Sequence, residues 1–103
     1  MRTYPNENGI TKMRFTVPTT VFCPLGPNYY RGTVTAEVEL GDKIVDFLDL
    51  EDYFKKDLNG KHLTTEQLCD EVFQHLKSHY EPKHLKVVVL SDSHFPIETI
   101  KEM

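Results

Sequence analysis

What the chain lacks narrows the reading first. No run of ~18 apolar residues occurs, so no segment is expected to span a bilayer as a helix. The opening MRTYPNENGITK has no apolar stretch of the kind a secretory signal needs. Only two cysteines are present, Cys23 and Cys69, and neither belongs to a Cys-x-x-Cys pair. A disulfide framework and a thiolate zinc knuckle are thereby excluded, and a reduced, cytoplasmic setting is expected. Cationic side chains are outnumbered, 12 Lys+Arg against 16 Asp+Glu, for a formal charge of −4. That balance argues against nucleic acid or an anionic membrane as partner, because phosphates select a clustered basic face. No repeat and no low-complexity tract interrupts the chain.

What is present describes one folded domain. A chain of 103 residues with 39% apolar and 27% charged side chains has ordinary globular composition. At this length a domain buries roughly 65% of its unfolded surface, enough for one core. Residues 1–12 are polar, with Pro5, Asn6, Asn8 and Gly9, and read as a flexible lead-in to a single domain over 13–103. Met13, Phe15 and Val17 alternate with Arg14 and Thr16, which predicts a strand over 13–22, and Pro18 marks it as an edge or a bulge. Residues 23–28 (CPLGPN) must turn. Val34, Ala36, Val38 and Leu40 alternate with Thr33, Thr35, Glu37 and Glu39, the pattern of an antiparallel strand with one wet face, over 30–40. An extended run follows at 44–47.

Asp49 is placed as the N-cap of a first helix with Leu50, Tyr53, Phe54 and Leu58 on its buried stripe and Asn59-Gly60 as its stop. Thr64 and Gln67 form a capping box for a second helix, stapled by Leu63 and Leu68. Its apolar stripe is Leu68, Cys69, Val72, Phe73, Leu76 and Tyr80, and Pro82 ends it. Residues 85–90 (LKVVVL) read as a central strand and 95–101 as a last, edge strand. The order strand-strand-helix-helix-strand-strand predicts an α+β fold, a four-stranded antiparallel sheet with two helices on one face.

At this point the chain resembles the tunnelling fold (T-fold), the ββααββ unit of tetrahydropterin synthases, dihydroneopterin aldolases and deazaguanine nitrile reductases. Residues 15–19 (FTVPT) fall where 6-pyruvoyl- and 6-carboxy-tetrahydropterin synthases carry F-S-A-x-H, and 25–29 (LGPNY) where they carry H-G-H-N-Y. Residues 43–50 (KIVDFLDL) resemble G-M-V-x-D-F-x-D-L-K, and 64–69 (TTEQLC) resemble P-T-x-E-x-L-A. The resemblance implies a pterin or purine-type ligand, assembly of identical subunits side by side into a barrel, and pockets between them. It also implies a lyase activity, but the three zinc histidines of that family fall on Thr19, Leu25 and Pro27. Leu and Pro have no donor atom and a neutral hydroxyl is a poor ligand, so zinc, and with it the standard chemistry, is not expected, and no cofactor is implied. The D-H-x-x-L-N segment is missing.

Three functional readings follow: a zinc-less synthase-like protein that keeps a heterocycle pocket, a non-catalytic oligomeric binding or scaffold protein, and a relative of 7-cyano-7-deazaguanine reductase. The last rests on Cys23-Pro24, which matches the start of C-P-V-T-x-Q-P-D, although the cofactor lysine of E-S-K-S is absent from residues 46–49. Cys23 is the candidate catalytic group, as nucleophile or base, against its reading as a small apolar residue on a Pro-rich turn. Glu66 is a candidate anchor for the N–H edge of a heterocycle, against a plain helix-dipole acid. Asp92 is a second anchor or a turn former, and Tyr29 a stacking platform or a packing aromatic. His75 and His79 have the i,i+4 spacing of metal ligands but lack a third, and near a helix C-terminus histidines are favoured anyway. His62, His84 and His94 read as solvated.

Overall fold

The computed structural model describes residues 3–22, 24, 29–92 and 96–103, with the backbone alone at Tyr29. Cys23, Leu25, Pro27 and His94 lie outside the described residues. Six strands are described, β1 (Tyr4–Pro5), β2 (Lys12–Phe22), β3 (Tyr29–Glu39), β4 (Lys43–Ile44), β5 (His84–Ser91) and β6 (Glu98–Glu102). Between β4 and β5 lie α1 (Phe47–Asp52), a π-helical turn (Tyr53–Leu58) and α2 (Thr65–Tyr80). The main sheet is β2-β3-β5-β6, antiparallel throughout, and β1 pairs with β4 beside it.

Alternation decides which face is buried. Val21, Val34, Ala36, Val38, Leu85, Val87 and Val89 point inward and are fully buried. The predicted stripe of α2 is buried as a whole against them. The start of α2 packs over Gly32, where a Cβ would lie at ordinary contact distance, 3.4 Å from Val89 Cγ1 and 3.6 Å from Leu68 Cδ2. The capping box is complete, with Gln67 N–H donating to Thr64 Oγ1 (3.1 Å) and Thr64 N–H to Gln67 Oε1 (3.0 Å).

Pro18 sits on an outer strand of the sheet as expected. Thr20 and Phe22 direct their backbone groups away from β3, to Gly60, Lys61 and Leu63. By the two-residue period Pro18 faces the same way, so its missing N–H breaks no β2–β3 bond.

Several boundaries differ from the sequence reading. The first helix starts three residues earlier, capped by Asp46, whose Oδ1 accepts from Leu48 N–H at 3.3 Å. Asp49 lies instead inside the first turn, buried. The cause is that Phe47 and Leu48 are 72% and 55% exposed, so apolar periodicity marks the helix only from Leu50. Phe47 therefore belongs to the helix rather than to an extended run. The second half of this helix widens to π geometry, ending with Asn59 N–H donating to Phe54 O (3.0 Å). Gly60, at φ +83°, supplies the stop. The described last strand begins at Glu98. Within the expected lead-in, Tyr4–Pro5 pairs with Lys43–Ile44, and Asn6 Nδ2 donates to Ile10 O (2.8 Å), tying its own turn.

Thr64→Ala removes one half of the capping box and is expected to cost about 1 kcal/mol of unfolding free energy. Urea titration checks it, with Thr64→Ser close to wild type.

Candidate functional site

One end of the sheet carries Thr19, Tyr29 and Asp92. The C-terminal end of β2, the start of β3 and the end of β5 lie together there, since Thr19 pairs with Gly32 and Gly32 with Ser91. The start of α2 rests over Gly32 at the same end. Asp92 is exposed just beyond β5, its N–H donating to Arg31 O (2.8 Å). Glu66 is exposed in the first turn of α2 and lines a groove of about 440 Å³ with Cys69, Thr99 and Lys101 along the β6 flank. No described contact joins Glu66 to Asp92. Tyr29 opens β3, opposite Phe22.

A residue that sequence reasoning set aside joins this end. Phe22 N–H donates to Lys61 O (2.8 Å) and Leu63 N–H to Phe22 O (3.0 Å), so residues 61–63 run beside the end of β2. His62 bridges Phe22, and the two rings stack at 5.2 Å between centroids. Tyr30 clamps the same segment, its hydroxyl donating to Leu63 O at 2.8 Å. His62 thus lies against the residue that precedes Cys23 in the chain. Its spacing from any motif gave no signal; only the bridge across forty residues of chain places it.

A second concavity opens between the inner face of β2 and the first helix. This cleft of about 430 Å³ has mostly apolar walls, including Phe15, Val17, Leu50 and Phe54, with Glu51 and Lys55 at the rim, paired at 2.5 Å. Thr19 lies at its edge, buried, with Oγ1 making no hydrogen bond among the described residues. In donor chemistry that hydroxyl is poorly suited to zinc, and among the described residues no three His, Cys, Asp or Glu side chains converge as a metal would need. The i,i+4 pair His75 and His79 does not converge either: the rings are nearly parallel at 4°, 5.4 Å apart.

Cys69 is structural. It is 1% exposed, its Sγ lies 3.5 Å from both Val87 O and Thr99 O, and burial pushes its thiol up. Iodoacetamide is therefore expected to leave Cys69 unmodified in the native protein and to reach it only in denaturant, so mass spectrometry should find at most one label per native chain and two after unfolding.

No protein-family model and no curated protein matches this sequence. Among solved structures, the chain is similar to the archaeosine synthase QueF-Like in its apo crystal form, with a TM-score of 0.85 at 17% identity, over 92% of this chain and 95% of that one. At that identity the likeness carries the fold: a four-stranded antiparallel sheet with helices on one face, in the ββααββ order of the tunnelling fold.

Proposed function

We propose that the protein is a T-fold subunit that binds a pterin or purine-type heterocycle, without zinc, in a pocket completed by a second copy of the chain. The second copy is supported by the match between the two open edges of the sheet. Four alternating strands leave β2 and β6 running in opposite senses, so β6 of one copy can meet β2 of the next antiparallel by a simple rotation. Across the outer face, Arg14, Glu37, Lys86 and Glu102 stand opposite one another in register, a row of alternating charge. Arg14 is ion-paired with Glu37 and holds that carboxyl below its usual range. Continuing the row puts Glu102 beside Arg14 of the next copy and Ile100 beside Thr16.

The backbone agrees with this register. Ile97 O and Met103 N–H bond toward β5, so Glu98, Ile100 and Glu102 present their N–H and C=O groups to the open edge. Arg14 and Thr16 do the same on β2, whose edge is covered, among the described residues, near Thr20 and Phe22. The inner faces then bring the Glu66 groove of one copy alongside the Thr19 cleft of the next. Glu66 is the anchor for the ligand's N–H edge, with Asp92 and Tyr29 as further contacts. Any covalent step falls to Cys23, with His62, which stacks on Phe22, as the acid or base. The archaeosine synthase likeness supports a purine-like ligand within this class.

Two measurements test the reading. Light scattering after gel filtration should give an oligomer for the wild type, a smaller species for Arg14→Glu or Glu102→Arg alone, and recovery in the double swap. A monomeric wild type sinks the shared pocket. Thermal shift with neopterin, sepiapterin and 7-deazaguanine compounds should raise the midpoint by roughly 10 °C or more at 100-fold excess over Kd. Glu66→Gln should abolish that shift. An oligomer that responds to none of them is the scaffold alternative.

A further inference from the structure

Along one seam between the first helical segment and α2, four buried side-chain polar atoms lack a hydrogen-bond partner among the described residues: Asp46 Oδ2, Asp49 Oδ2, His75 Nε2 and His79 Nε2. The Tyr80 hydroxyl, buried in the same seam, meets the Asp46 backbone. The same seam carries a continuous ladder of rings. Tyr80 meets His79 edge-on at 5.3 Å, and His79 stacks on His75 at 5.4 Å. His75 lies flat on Tyr53 at 3.6 Å, Tyr53 meets Phe54 at 5.4 Å, and Phe54 meets Phe15 of β2 at 6.1 Å. Phe15 and Phe54 are walls of the apolar cleft. Two imidazoles therefore sit in the middle of the only ring contacts that join α2 to the cleft wall among the described residues.

We infer that the stacked His75–His79 pair is an acid-sensitive latch that docks the π turn on α2 and thereby sets the cleft wall. The inference stands whatever occupies the cleft. Each Nε2 is buried with no hydrogen-bond partner among the described residues. In a protonated ring both nitrogens are donors, so Nε2 then carries an N–H with no acceptor among those residues, and a second charge beside it repels the first. Burial lowers the affinity of His75 for a proton, the charge of His79 lowers it further, and Asp57 of the π turn opposes both. The other groups facing the seam do not relieve the charge. Glu71 precedes His75 by one turn and, with burial, raises the Tyr53 phenol; Asp46 and Asp49 of the first helix face Tyr80, pushed up to about 12 chiefly by burial. None of them hydrogen-bonds to either Nε2.

The sign follows directly. Histidine in the unfolded chain takes up its proton near 6.5, and folded His75 does so lower. Stability is complete above about pH 6.5 and is lost as pH falls from there toward the folded value, because the unfolded state binds the proton first.

The test combines imidazole NMR titration of the full chain with thermal melts from pH 7.5 to 5.5, above the range where carboxylate ion pairs titrate. His75 should titrate below 6.5, and the wild-type midpoint should drop by several degrees. His75→Phe, which keeps a ring on Tyr53, should lose less than half as much. Amide exchange over residues 53–58, corrected for intrinsic rate, should accelerate at pH 5.5 in the wild type alone. His75 titrating at or above 6.5, or equal pH dependence in both proteins, overturns the latch. If His75→Phe does not fold, the wild-type titration and exchange still decide.

Discussion

Leu68, Val72, Leu76 and Tyr80 of α2 press on Val34, Ala36, Val38, Leu85, Val87 and Val89, and every one of these side chains is fully withdrawn from water. That single apolar layer holds a sheet that has helices on one side only. Burial of this kind scales with area and is indifferent to direction, so it secures the stack without specifying what meets the outer face or the edges. Those are specified by polar groups. Arg14, Glu37, Lys86 and Glu102 form a row on the outer face, while the outward backbone groups of Lys12–Pro18 and of β6 meet no further strand among the described residues. Strand edges left open in this way invite pairing, and alternating charge determines which pairing is permitted.

The first helical segment obeys a different constraint. It buries Leu50, Tyr53, Phe54 and Leu58, and Tyr53 stacks on His75 of α2. A widened π turn brings Tyr53 under His75 while Phe54 turns to Phe15, so one short element touches both α2 and the edge strand. Such turns are often placed where function needs a local departure from regular helix. Here the departure walls the cleft that lies beside Thr19.

A shared fold with an archaeosine synthase does not transfer its chemistry, because function lives in the site and sites vary on a common scaffold. What this chain places at the relevant end is its own: His62 stacked on Phe22, Tyr30 clamping Leu63, Glu66 in the first turn of α2 and Asp92 beyond β5.

Periodicity and end signals made most of the architecture legible. Val34 to Leu40 alternate because one face of β3 is wet, and Thr64 with Gln67 announces α2 because orphan N–H groups need those side chains. The same logic misplaced the start of the first helix, since Phe47 and Leu48 stay exposed and periodicity registers only residues that are buried. By itself the sequence determined the element order, the buried stripes and the one-sided sheet, all of which depend on neighbours a few residues apart. Only the tertiary structure decided that His62 lies against Phe22, that His75 and His79 stack in the Tyr53–Tyr80 ladder, and that Thr19 borders a cleft. Each of these joins segments distant in the chain, and such contacts follow from how the layers close, which no local pattern encodes.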